Sequence, residues 1–132
     1  MSTVKAVPIH TGKRKTAIAR VILKVGKGVI TVNRRPLENY FPRKSLVFDL
    51  RKPLEVTQLL EKYDVFVTVT GGGVSGQAGA VRHAISNAIV AVHPETRGEL
   101  RVHGYLTRDS RIVQRKMYGH KKARKSFQFS KR

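Results

Sequence analysis

Tyr63-Asp64-Val65-Phe66-Val67-Thr68-Val69-Thr70, running straight into Gly71-Gly72-Gly73-Val74-Ser75-Gly76-Gln77-Ala78-Gly79, is the stretch that decides how this chain folds. Tyr63, Val65, Val67 and Val69 alternate with Asp64, Phe66, Thr68 and Thr70, the period-two pattern of a strand with one apolar face. The three glycines break that pattern. Beyond them Ala78, Val81, Ile85, Ala88, Ile89 and Val92 recur at spacings of three and four, so a helix follows and lays one stripe on a sheet. His93-Pro94 closes it.

Working outward from this unit, Ala17, Ala19, Val21, Leu23 and Val25 alternate with Ile18, Arg20, Ile22 and Lys24, which predicts a second strand. Gly26-Lys27-Gly28 supplies a turn and Val29-Ile30-Thr31-Val32 resumes the β pattern, so the two segments are expected to pair as a hairpin ended by Asn33-Arg34-Arg35-Pro36. Leu37 to Phe41 reads as one helical turn stopped by Pro42. Pro53 to Leu60 reads as a short helix with proline at its first position. A last short helix is predicted over Glu95 to Val102, with Gly104 as the exit. These elements predict an α/β chain of the α+β kind: a two-layer sandwich of about four strands with helices packed on one face.

The charge is one-sided. The 132 residues carry 27 Lys+Arg against 8 Asp+Glu, a formal net charge of +19. Such a field repels itself in the compact state and draws in polyanions, which points to nucleic acid or an anionic membrane surface. Residues 1–107 hold 17 basic and 7 acidic side chains, whereas residues 108–132 hold 10 basic and 1 acidic. The division predicts a foldable core over 1–107 and an extended basic tail over 108–132, which has too few apolar residues to offset its ordering entropy. In that tail, which also holds Arg108, Arg111, Arg115 and Lys116 as expected RNA contacts, Tyr118, Phe127 and Phe129 are interleaved among Lys121, Lys122, Arg124, Lys125, Lys131 and Arg132, and rings among cations suit stacking on bases beside neutralised phosphates. No basic amphipathic helix with aromatic residues on one face accompanies it, so a membrane partner is not expected.

Other chemistries fall away by counting. With no cysteine there is no disulfide, thiolate metal site or cysteine nucleophile. Met1 to Ala6 lacks the apolar core of a signal peptide, and no stretch reaches the length of a membrane span, so a soluble cytoplasmic protein is expected. Gly71, Gly73 and Gly76 satisfy the dinucleotide fingerprint, but the helix runs into His93-Pro94-Glu95-Thr96-Arg97-Gly98 with no second parallel strand behind it. Gln77-Ala78 stands where a phosphate-binding P-loop needs Lys-Ser/Thr. Gly73-Val74-Ser75-Gly76-Gln77 lacks the last glycine of a hydrolase elbow. His10, His83, His93, His103 and His120 are too scattered to form a ligand set, so no metal or other cofactor is expected. Two readings of the glycine loop stay open: close backbone packing around a tight turn, or a backbone-lined anion site at the helix start, with Ser75 and Arg82 nearby, aimed at an RNA phosphate.

Three segments and the terminus carry a resemblance. Gly12-Lys13-Arg14-Lys15-Thr16-Ala17-Ile18-Ala19-Arg20-Val21, the run from Gly71 to Ile85, Leu106-Thr107-Arg108-Asp109-Ser110-Arg111 and the terminal Gln128-Phe129-Ser130-Lys131-Arg132 resemble, in order and over nearly the whole chain, the bacterial form of the small-subunit ribosomal protein nine family. The resemblance implies a non-catalytic core docked on ribosomal RNA in the head of the small subunit, beside neighbouring head proteins. It also implies a tail reaching the peptidyl-tRNA site, where Ser130, Lys131 and Arg132 approach the tRNA anticodon stem-loop. Ser126-Phe127 replaces a proline common before the terminal motif, and His120 stands where an apolar residue is usual. For the core, Lys13, Arg14, Lys15, Arg20, Arg34 and Arg35 are the expected phosphate contacts, giving affinity with little sequence readout.

Overall fold

A computed structural model describes residues 9–108 and Tyr118. Its frame is a mixed five-stranded sheet in the order β1-β2-β5-β3-β4, formed by β1 (His10–Arg14), β2 (Ala17–Val25), β3 (Ile30–Val32), β4 (Arg35–Pro36) and β5 (Tyr63–Thr70). Four helices complete it: α1 (Leu37–Tyr40), α2 (Lys44–Val56), α3 (Val74–Val92) and α4 (Arg97–Val102), with a 3-10 turn at Pro94–Thr96. The α+β class and the helix-covered sheet agree with the sequence pattern.

The expected hairpin between Ala17–Val25 and Val29–Val32 does not form. Instead β5 lies between the two segments, antiparallel to β2 (Val21↔Val67, Leu23↔Val65) and parallel to β3 (Ile30↔Val65, Val32↔Val67). The reason is burial. Val65, Val67 and Val69 are at most 4% exposed and complete the apolar layer on both sides, which a bare β2–β3 hairpin would leave open to water. The edges exceed the expected count: Gly12-Lys13-Arg14 folds back on Ala17 to Ala19 through a turn at Lys15, and Arg35-Pro36 pairs with Thr31-Val32.

A second correction concerns Pro53, which does not start a helix. α2 begins nine residues earlier, at Lys44, and Pro53 lies in its last turns, buried beside Leu50 and Leu54. Leu46, Val47, Leu50 and Leu54 form the stripe that packs toward α3, and that burial outweighs the backbone bond proline withholds near a helix end.

α3 lies across β1 and β2 unusually close to the backbone. A Cβ at Gly12 would sit 2.2 Å from the Ala84 nitrogen and 2.3 Å from the Ala80 oxygen, so only glycine fits there. Asn87 on the same helix donates from Nδ2 to the Thr11 carbonyl at 3.1 Å. Ala17, Ala19, Val21 and Val69 from the sheet share one core with Ala80, Val81, Ala84, Ile85, Ala88 and Ile89 from α3, and Leu37, Phe41 and Leu100 belong to it as well.

Candidate nucleic-acid interface

The helices cover one face of the sheet and leave the other open. Because side chains alternate along each strand, the residues opposite the core line form a second row: Thr11 and Lys13 on β1, Ile18, Arg20, Ile22 and Lys24 on β2, Thr31 on β3, and Phe66, Thr68 and Thr70 on β5. Register brings them into contact range across the strands, with Thr11 beside Arg20, Arg20 beside Thr68, and Phe66 between Ile22 and Thr31. Phe66 is 42% exposed and carries the Lys24 ammonium 5.1 Å from its ring centroid.

Acidic groups avoid this face. Of the seven carboxylates between residues 9 and 108, Glu38, Asp49, Glu55, Glu61, Glu95 and Glu99 lie on the helices and their connections. Some pair there, Arg51 with Glu38 at 3.0 Å and Lys52 with Asp49 at 3.4 Å. The seventh, Asp64, is consumed internally. Its Oδ1 accepts the backbone N–H groups of Lys27, Gly28 and Val29, each at 3.0 Å, and these bonds hold its carboxyl below the usual carboxylate range. Among the described residues, Lys13, Arg20, Arg34 and Arg35 have no ion-pair partner.

The glycine turn before α3 is tightly packed. A Cβ on Gly71 would lie 2.6 Å from the Thr16 oxygen and one on Gly72 3.0 Å from the Ala17 Cβ, and both glycines have positive φ (75° and 67°). Gln77 spans the turn, donating from Nε2 to the Gly71 carbonyl at 3.0 Å while its Oε1 accepts the Tyr40 hydroxyl at 2.8 Å. Gly73 caps the helix without a side-chain hydrogen bond. The close-packing reading of this loop is therefore correct for Gly71 and Gly72.

The expected contact residues divide among three places. Lys13 and Arg20 lie on the open sheet face, and Lys15 projects from the β1–β2 turn with φ 53°. Arg14, Ser75 and Arg82 converge instead on the helix side, lining a cleft of about 80 Å³ with Leu46, Asp49 and Gly79. Arg34 and Arg35 are exposed at the β3–β4 turn. That turn is tied to β5, because Asn33 imitates a strand residue: its Nδ2 donates to the Val69 carbonyl at 3.0 Å and its Oδ1 accepts the Val69 N–H at 2.9 Å.

Arg108 lies close enough to His83 to help depress its pKa, as does Arg82, though burial is the main cause. Arg82 also sits over the Tyr105 ring at 5.4 Å. Arg111, Arg115, Lys116, Lys121, Lys122, Arg124, Lys125, Ser130, Lys131 and Arg132 lie outside the described residues, and so does the expected tail over 108–132 apart from Arg108 and Tyr118.

The ribosomal protein S9/S16 family model matches residues 12–132. The chain belongs to the ribosomal protein S9/S16 family. It is 58% identical over 122 residues to the small ribosomal subunit protein uS9 of Lawsonia intracellularis, covering 92% of this chain and 94% of that one. The family is structural rather than enzymatic, consistent with a glycine turn filled by its own chain.

Two residues of the open face escape a reading aimed at charge runs: Lys24 and Phe66. Their signal lay in the period-two pattern itself. In Tyr63–Thr70 an aromatic residue occupies the row of Thr68 and Thr70, where an apolar ring gains nothing from the core.

Proposed function

We propose that this protein binds small-subunit ribosomal RNA through its open sheet face and the adjoining Lys15 and Arg34-Arg35 turns. As a member of its family it is a structural constituent of the small ribosomal subunit, hence cytoplasmic, with ribosomal RNA and ribosomal proteins as partners. The observation that carries the reading is the separation of charge: Lys13, Arg20 and Lys24 share a face whose only carboxylate among the described residues, Asp64, is already satisfied by three backbone N–H groups. Cations so placed neutralise phosphates and release counterions without reading bases. Arg14, Ser75 and Arg82 form a second, smaller contact on the helix side, and Arg108 joins it to the tail.

The tail residues Arg111, Arg115, Lys116, Lys121, Lys122, Arg124 and Lys125 continue the phosphate contacts, and Ser130, Lys131 and Arg132 reach the anticodon stem-loop of peptidyl-site tRNA. What supports this is the family membership together with the terminal charge density. A guanidinium grips a phosphate through two hydrogen bonds, which favours Arg132 as the principal tRNA contact.

The test is affinity for small-subunit ribosomal RNA across salt. Binding is expected to fall steeply between about 50 and 200 mM and to accompany co-sedimentation with small subunits in equal amounts. A flat salt response would overturn the reading. Removing Ser130 to Arg132 is expected to spare assembly and raise the tRNA off-rate from the peptidyl site; an unchanged off-rate removes the tail assignment.

A further inference from the structure

Beside the exposed ring of Phe66 the open face dips into a hollow of about 340 Å³ lined by Thr31, Asn33, Arg34, Phe66, Val67 and Thr68. We infer that this hollow receives one unstacked base of the bound RNA, which stacks on Phe66 while Arg34 grips the adjoining phosphate. The inference rests on the ribosomal-RNA reading above and adds to it a single-nucleotide site.

Three features carry it. First, Phe66 is a large apolar ring kept at the surface on a strand whose core needs are already met by Val65, Val67 and Val69. A flat ring on a sheet face is the platform on which unpaired bases stack, whatever their identity. Second, the lining offers hydroxyls from Thr31 and Thr68 and cations from Arg34 and, over the ring, Lys24, but no carboxylate. That chemistry complements a base edge and a phosphate, and it lacks the acidic group that a basic partner would need.

Third, Arg34 occupies a backbone conformation that suits glycine. Asn33 and Arg34 form the turn between Val32 and Arg35 with φ of 48° and 66°, the left-handed pair for which Asn-Gly is the favoured sequence. Asparagine stands in its favoured place, held by its two hydrogen bonds to Val69, while arginine stands where glycine would relieve strain. Strain of this kind persists where the side chain has a task. The Asn33 bonds also tie the backbone from which Arg34 leaves the turn to β5.

The experiment uses the full chain and small-subunit ribosomal RNA carrying 4-thiouridine, with filter binding, cross-link mapping and thermal denaturation. Phe66→Leu is expected to keep Tm and salt dependence and to lose about tenfold in affinity, with Phe66→Tyr restoring it. Arg34→Gly is expected to keep or raise Tm while weakening binding and flattening the salt slope by about one. Zero-length cross-links should map to residue 66 or its hollow.

Should wild type bind RNA while Phe66→Leu binds equally well, the base site is wrong and the broader reading stands. If wild type itself fails to bind, the broader reading falls and takes the hollow with it. Cross-links from position 66 to a ribosomal protein in assembled subunits, with RNA affinity unmoved, would assign the hollow to a protein neighbour and overturn the proposal. Phe48→Ala, an exposed ring on α2 away from the open face, serves as the control expected to leave RNA affinity unchanged.

Discussion

The two faces of the sheet are written in the same strands, one residue apart, and they differ in almost every physical property. On the covered face Gly12, Ala19, Val21, Val65, Val67 and Val69 admit the helix layer so closely that backbone meets backbone. On the open face Lys13, Arg20, Lys24 and Phe66 stand in or near water, and Asp64, the only carboxylate there among the described residues, is occupied by a turn. The difference teaches that stability and function are separable here by parity. A substitution on one row tests packing; its neighbour on the other row tests recognition.

That separation breaks most visibly at Gly12. Gly12→Val forces a side chain into the α3 backbone, and a loss of at least about 3 kcal/mol is expected in chemical denaturation, enough to abolish cooperative unfolding in a marginal domain. Ile85→Val, which shortens a fully buried side chain of α3, should cost about 1 kcal/mol by the same measurement with RNA affinity unchanged. Loss of RNA affinity without loss of stability in that variant would contradict the parity rule.

Asp64→Asn probes the one acidic group on the open row. The carboxyl's folded pKa lies below its ordinary 3.8, so its contribution is present above that pH and lost as pH falls through the folded value. The variant is expected to have a lower Tm at neutral pH and to lose this acid-dependent component, as read from melts between pH 2 and 6.

His83 gives a shift in the same direction from a different window. Its Nε2 lies 3.3 Å from the Leu106 carbonyl and donates to it, leaving Nδ1 buried with no partner among the described residues. Burial, aided by Arg108 and Arg82, holds the ring's pKa below 6.5, so the unfolded chain binds the proton more tightly. Stability is therefore full above the unfolded value and declines as pH falls from about 6.5 toward the folded value; His83→Leu should flatten Tm over that range.

The smallest effect on stability is expected from replacing Lys13, Arg20 and Lys24 together by Gln. Denaturation should move by less than about 0.5 kcal/mol, while the logarithmic salt slope of RNA binding flattens by about two to three. An unaltered slope would show that the phosphates lie elsewhere.

Strand and long helix were legible wherever the pattern was local. Tyr63–Thr70 and the helix to Val92 follow from alternation and from the three-four spacing, because each face of an element is recorded in its own residues. The β2–β3 hairpin was misread because a glycine turn between two apolar runs signals proximity, whereas pairing is settled by what fills the space between them, here β5. Pro53 was misread for a related reason. Its restriction is local, but the stripe from Leu46 to Leu54 that overrides it is recognisable only against α3.

The two glycine turns make the same point at the candidate site. Gly26-Lys27-Gly28 and Gly71-Gly72-Gly73 look alike as sequence, yet the first wraps a carboxylate from its own chain and the second packs on Thr16 and Ala17. Charge runs led directly to Lys13, Arg20, Arg34 and Arg35. They could not separate Arg14 and Arg82, which share the helix-side cleft, from Lys13 and Arg20 across the sheet, because neighbours in sequence point to opposite faces.

By itself the sequence determined the class of the protein: an α+β core, an excess of cations with no catalytic constellation, and a family signature spread along the chain. These are properties of composition and local period, which need no partner to be read. The tertiary structure alone decided which row of each strand faces outward with charge intact, where the acids are sequestered, and that Phe66 and Arg34 border one hollow. Those are relations between residues distant in sequence, and they exist only once burial of the valine row has chosen which side of the sheet the helices take.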